Sequence, residues 1–171
     1  MRGLSLTQPW ATLVAIGAKK VETRSWSPSY RGQIAIHASK GFPRWARAIC
    51  GDEPLFRAAL FKGGFRGWAD LPLGKIVAVV DLVEVKSTGC KGNQYRADWV
   101  HELTTQERWF GDYGPERFGL FLSDIKRVSK PIPCKGALGL WAVPEDIAHL
   151  VAEQIGKVTG QLAAMEASNG G

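Results

Sequence analysis

Closely spaced cysteines are missing from this chain. Cys50, Cys90 and Cys134 stand far apart, and only three histidines accompany them. No C-x-x-C pair or Cys/His cluster has the spacing of a structural zinc site, so three plain buried thiols are expected, with no metal and no other cofactor. No apolar run approaches the ~18 residues of a membrane-spanning helix, and no basic-then-apolar leader is present. The expectation is a protein of a reducing cytoplasm with no membrane partner. No repeat, low-complexity tract or linker divides the chain either. Acidic residues are in deficit, 16 against 22 Lys and Arg, which leaves a formal charge of +6. That balance favours anionic partners, nucleic acid first among them.

What is present is apolar and aromatic. Of 171 residues 45% are hydrophobic, with seven Trp and seven Phe, enough for one well-buried core. So many aromatic rings need either that core or a ligand.

Periodicity places the elements. Arg2 to Thr7 alternates, with Leu4 and Leu6 on one face, as a half-buried strand does. A helix follows, with Thr7 or Gln8 at its N-cap, Pro9 in its first position and Gly17 as a left-handed terminator. Lys20 to Trp26 and Gly32 to Ala38 alternate again, and Pro28 to Tyr30 reads as the turn of an antiparallel pair. Pro43 to Leu60 predicts two short helices broken near Gly51 to Pro54, burying Trp45, Ile49, Leu55 and Phe56, and Lys62 to Asp70 a loop. Lys75 to Val85 contains the unbroken apolar run Ile76 to Val80, a central strand buried on both sides. Lys86 to Asp98 reads as irregular, and Thr104 to Glu107 as a capping box opening a helix with Trp109 and Phe110.

Phe118 to Val128 and Leu138 to Val143 complete the strands around a Pro131 to Gly136 turn. The fold class is α+β: a mixed, mostly antiparallel barrel of five to six strands with short flanking helices and a C-terminal helix. Ile34, Ile36, Val77, Val79, Leu120, Leu122 and Leu140 are its expected core. From Pro144 a helical stripe of Ile147, Leu150, Val151, Ile155, Val158, Leu162 and Met165 is suited to dock on the barrel or on a second copy of the chain. Ser168 to Gly171 is a frayed end.

The chemistry gathers after the first helix. In Lys19-Lys20-Val21-Glu22-Thr23-Arg24 the strand period puts Lys20, Glu22, Arg24 and Trp26 on one face. Lys19, at the bend before it, can turn toward the same side. A carboxylate between cations is either a ligand site or an edge strand pairing its own charges to little effect.

Leu4 to Trp10 (LSLTQPW), Gly17-x-Lys19-x-x-Glu22-x-Arg24, Tyr30-Arg31-Gly32 and Ile36-His37-Ala38 resemble the ASCH family, a relative of the PUA domains. The likeness continues through Val79-Val80-Asp81-Leu82-Val83 and Pro131-Ile132-Pro133-x-Lys135-Gly136 to Leu140-Trp141. It implies an ASCH domain over 1–143; the helical stripe falls outside the likeness, as an extension over 144–167 with a disordered tail over 168–171. It also implies a cleft between the first helix and the neighbouring strands, in which Lys19, Glu22 and Arg24 are joined by Gln8, Trp10, Arg31 and His37. RNA or DNA, or a free modified nucleoside, is the implied ligand, and some family members are amidohydrolases acting on N4-acylated cytidine.

The residue chemistry suits those uses. Lys19 and Arg24 offer charge-assisted donors to phosphate, Glu22 can accept from an exocyclic amine, and Trp10 or Trp26 can stack a base. The first turn of the Pro9 helix adds backbone donors. A phosphate patch is expected to join Lys19, Arg24, Arg31 and Lys40. The hydrolase branch of the family uses Lys-x-x-Thr-x-Arg, whereas Glu22 stands here at the Thr position and Thr23 is expected on the opposite face. Catalysis would then rest on Glu22 with Lys19 activating a water; a ribonuclease built on Glu22, Lys19 and His37 is a weaker alternative. Nucleic-acid binding, to RNA first, is the leading expectation.

Overall fold

Alternation in the sequence becomes one curled sheet in the computed structural model, which describes residues 1–90 and 97–168. Residues 91–96 of the expected irregular stretch Lys86 to Asp98 and the last three residues of the frayed end lie outside the described residues, while Lys86 and Ser87 extend a strand instead. In chain order the elements are β1 (Arg2–Leu6), α1 (Trp10–Ala15), β2 (Val21–Arg24), β3 (Gly32–Ala38), α2 (Arg44–Asp52), α3 (Pro54–Lys62), a 3-10 turn (Trp68–Asp70), β4 (Lys75–Ser87), α4 (Asp98–Glu102), α5 (Thr105–Trp109), β5 (Phe118–Pro133), β6 (Leu140–Ala142) and α6 (Glu145–Ser168).

The strand order is β2-β5-β4-β3-β1-β6. Only β1 with β3 runs parallel; the other pairings are antiparallel. The mixed, mostly antiparallel barrel is therefore a six-stranded half-barrel, consistent with a PUA-like fold. β4, the most apolar strand, is paired along both edges, and its run Ile76 to Val80 is buried without a break, as expected of a strand covered on both faces.

One expected pairing is corrected. β2 and β3 do not form a hairpin, because the long β4–β5 ribbon lies between them: β2 pairs with β5, and β3 with β1 and β4. The intervening segment crosses the sheet and is pinned from within. Arg31 Nη1 donates to the Pro28 and Tyr30 carbonyls (both 2.8 Å), and the Tyr30 hydroxyl donates to the Gln33 carbonyl (3.0 Å).

The core is divided by the sheet. Leu4, Leu6, Ile34, Ile36, Val77, Leu120 and Leu122 pack with α1 on one side, and Leu140 joins at the margin, half-buried. Val79, expected with them, packs on the other side beside Ile76, Val128 and Ile132. Bulges in the β4–β5 register shift the alternation of β4 and so move Val79 across. The tail helix covers this second side: Val151 and Ile155 enter the core, and Gln154 Oε1 accepts from the Lys130 amide (3.0 Å). At least its first half thus docks on its own sheet.

Other corrections are local. α1 begins at Trp10 rather than Pro9, and β5 runs on through Pro133, so the turn lies beyond it. Trp45 is 59% exposed rather than buried, while Phe56 is buried as expected. Of the cysteines only Cys50 is buried; Cys134 is half-buried and Cys90 exposed. No helix among the described residues is long and apolar enough to cross a membrane.

Candidate functional site

β2 is an edge strand, and a cleft of about 540 Å³ runs along its open side. Glu22, Thr23 and Arg24 contribute to its floor, with Arg117 from the segment before β5. Trp10, Trp45 and Trp109 stand around it, and Glu53 and Asp112 add two more carboxylates. Trp10 is fixed by its indole N–H, which donates to the Phe110 carbonyl at 2.7 Å, and it packs against Trp45 at 5.7 Å and Phe56 at 5.9 Å between ring centroids. Trp45 and Trp109 leave more than half of their surface in solvent. Large exposed rings around one concavity are costly without an occupant.

Behind the floor lies an ionic network. Lys19 is fully buried, its Nζ donating to the Val21 carbonyl at 2.6 Å and lying 3.9 Å from Glu22 and 3.5 Å from Glu107. Glu107 accepts the Lys20 and Val21 amides at 2.8 and 3.3 Å, and so holds the start of β2. The Tyr113 hydroxyl lies 3.1 Å from the Val21 carbonyl and 3.2 Å from Glu107 Oε1. Burial first, then the Glu107 charge and hydrogen bond, then Glu22, raise its pKa far above the ordinary tyrosine value. On the cleft side, Arg24 Nε is 3.3 Å from Glu22 Oε1, and Arg24 Nη2 donates to the Ser5 carbonyl at 2.8 Å. That Glu22 contact is an ion pair without hydrogen-bond alignment, so the buried Nε atoms of Arg24 and Arg117 both lack an acceptor among the described residues.

A family model described as the ASCH domain matches residues 4–121. The chain belongs to the ASCH family. The family is PUA-like and associated with RNA binding. Activating signal cointegrator 1 is 36% identical over 86 residues in its human form and 34% over 85 in its mouse form. Each alignment takes in 49% of this chain, which spans only 14% of the length of those relatives. Among solved structures, ASCH from Zymomonas mobilis aligns with a TM-score of 0.52 at 16% identity, over 88% of this chain and 93% of that one. At that identity the likeness speaks for the fold alone.

The ASCH cleft takes up only part of the expected residue set. Trp10, Glu22 and Arg24 line it; Lys19 supports it from behind and offers no surface to a ligand. Thr23, expected on the opposite face, also lines the cleft, because an edge strand meets a cavity along its rim. Gln8 is a buried helix cap: its Oε1 accepts from the Thr12 amide at 3.1 Å and its Nε2 donates to the Pro72 carbonyl at 2.8 Å. The Ala11 amide is also bonded, to the Thr7 carbonyl, so two of the first amides of α1 already have acceptors within the chain. Trp26 packs against the first core, and Arg31, which is exposed, bonds the crossing segment through Nη1 and does not line the cleft.

His37 and Lys40 line a different groove, so neither the phosphate patch nor the Glu22, Lys19 and His37 acid–base set is assembled in the cleft. Glu107, Tyr113, Arg117, Trp45 and Trp109 were not anticipated as site residues. The capping box did mark Glu107, whose backbone amide donates to Thr104 Oγ1 at 3.1 Å, but its carboxylate reaches β2 instead of the cap.

Proposed function

We propose that this ASCH domain binds RNA by taking a single unpaired nucleobase into the cleft. The observation that carries this reading is the charge of the lining: three carboxylates, Glu22, Glu53 and Asp112, face two guanidiniums, Arg24 and Arg117. In a chain of charge +6, this is not a phosphate groove. A base is neutral, and its flat faces suit exposed tryptophans, each stacking contact being worth about 1–3 kcal/mol. Its edge carries both donors and acceptors: Glu22 can accept from an exocyclic amine, and the partly exposed guanidiniums of Arg24 and Arg117 can donate to a ring nitrogen or carbonyl.

Calorimetric titration with cytidine and uridine tests the reading. Glu22→Gln is expected to narrow the preference for cytidine over uridine, because an amide both accepts and donates where a carboxylate only accepts. Trp109→Ala is expected to weaken both nucleosides together. If Glu22→Gln lowers the melting temperature while the preference is unchanged, Glu22 is a tether for Lys19 and Arg24, and its assignment to base reading falls.

Hydrolysis of N4-acylated cytidine is kept as a second reading by one observation, the presence of Glu22 and Thr23 in the same cleft. Lys19, with its ammonium already donating and set between carboxylates, would position Glu22 rather than act as a base. Glu22 would take a proton from water as that water attacks the amide carbonyl and pass it to the departing N4 nitrogen as the C–N bond breaks, releasing the carboxylic acid and cytidine. Release of cytidine from N4-acetylcytidine, lost in Glu22→Ala, is the result that would favour it.

A further inference from the structure

A second concavity, of about 1180 Å³, lies beside the end of β1. Lys40, Lys75 and Lys135 line it and no carboxylate does. Among the described residues none of the three lysines takes part in an ion pair. They come from three separate segments: the turn after β3, the first residue of β4 and the turn between β5 and β6. This groove therefore has the charge that the tryptophan cleft lacks.

Its floor is held in place by hydrogen bonds. His37 lies 3.2 Å from Ser5 Oγ through Nδ1 and 3.0 Å from the Cys134 carbonyl through Nε2. The carbonyl can only accept, so Nε2 carries the proton and Nδ1 accepts from the Ser5 hydroxyl, which itself accepts from the Trp141 indole at 3.1 Å. Gly136 lies directly on this chain: a Cβ there would come within 2.4 Å of the His37 ring and 2.6 Å of Ser5 Oγ. The turn carrying Lys135 is thus fixed against β1 and β3, and Leu138 is left 97% exposed beside the lysines.

The two concavities lie on either side of the end of β1, whose alternation sends the Ser5 side chain to one face and Leu6 to the other. Ser5 lines the lysine groove, while Leu6 and Thr7, the next two residues, line the tryptophan cleft. Arg24 bridges the same place by its bond to the Ser5 carbonyl. We propose that the lysine groove carries the phosphodiester backbone of single-stranded RNA, which passes the end of β1 to the base held in the cleft. The assignment rests on the nucleobase reading for its choice of polymer, but not for its use of phosphate.

The test is the salt dependence of binding to a short labelled single-stranded RNA, by fluorescence anisotropy. Each phosphate neutralised contributes about 0.7 to the slope of log affinity against log salt, so Lys40→Gln/Lys75→Gln/Lys135→Gln is expected to flatten it by about 2. Cytidine binding to the cleft is expected to be unchanged. Lys20→Gln/Lys62→Gln/Lys130→Gln, outside the groove, is expected to leave the slope nearly intact. Because Lys75 is half-buried in β4, a triple variant that melts early is replaced by Lys40→Gln/Lys135→Gln, both exposed, with an expected flattening of about 1.4.

The groove assignment is overturned if the wild type does not bind the RNA, if the slope survives the groove substitutions, or if the outside set flattens it equally. Displacement of the RNA by poly-glutamate of matched charge would overturn the choice of RNA in favour of an acidic peptide. Should the slope fall as expected while cytidine does not bind, the cleft reading fails and the phosphate groove stands.

Discussion

Lys19 carries the residue motif's positive charge but has no surface for a ligand, and that inversion governs its neighbours. Burying an ammonium is tolerable only where carboxylates and acceptors surround it, which Glu22, Glu107 and the Val21 carbonyl do. Tyr113 closes the set, and its neutral hydroxyl is the form the site favours. Unfolded tyrosine ionises near pH 10, whereas the folded hydroxyl keeps its proton to a higher pH. The folded state therefore binds more protons above pH 10, and stability contributed by Tyr113 is complete below that pH and lost as pH rises through it. In urea titrations Tyr113→Phe is expected to be less stable at neutral pH, and its deficit to shrink above pH 10 by up to about 1.4 kcal/mol per pH unit. A constant deficit across that range would remove Tyr113 from the network.

Elements were legible where their own residues decide them. The alternation of Arg2 to Thr7 and Gly32 to Ala38, the apolar run of β4 and the Thr104 cap all appear in the structure as the sequence predicts. Pairing was not legible for β2, whose partner is chosen by the length of the β4–β5 ribbon rather than by its own pattern. Trp45 was misread for a related reason. Its place on α2 is compatible with a core, and only the position of Trp10 and the cleft leaves it in solvent. Glu107 carried a visible cap signal, but its carboxylate found β2, a partner 86 residues away in the chain.

At Gly136 the β5–β6 turn is held by contact rather than by backbone conformation. Gly136→Ala adds a methyl where the His37 ring and Ser5 already stand, and overpacking of this kind costs about 1–3 kcal/mol. Gly41→Ala has open space around it and is expected to be close to neutral. Equal melting temperatures for the two variants would mean that the turn is not held against His37.

At the scale of the molecule, two cores share one sheet, and the second is completed only by the tail. Val151 is fully buried against the β4–β5 side. Val151→Asp places a carboxylate there without a partner, at a cost of several kcal/mol, and is expected to lower the melting temperature of the whole sheet. Loss of α6 alone, seen by circular dichroism as a separate early transition, would show that the tail folds independently of the barrel.

The curl of the sheet has a further consequence. β6 pairs with β1 only from Arg2 to Leu4, so the Ser5 carbonyl lies past its reach, and Arg24 of the opposite edge strand takes it. One guanidinium thus spans the seam of the half-barrel and also forms part of the cleft floor. Occupancy of the cleft and closure of that seam therefore share one side chain: an occupant that leaves the Ser5 bond intact keeps the two edges joined, and one that draws the guanidinium away removes the bond between them.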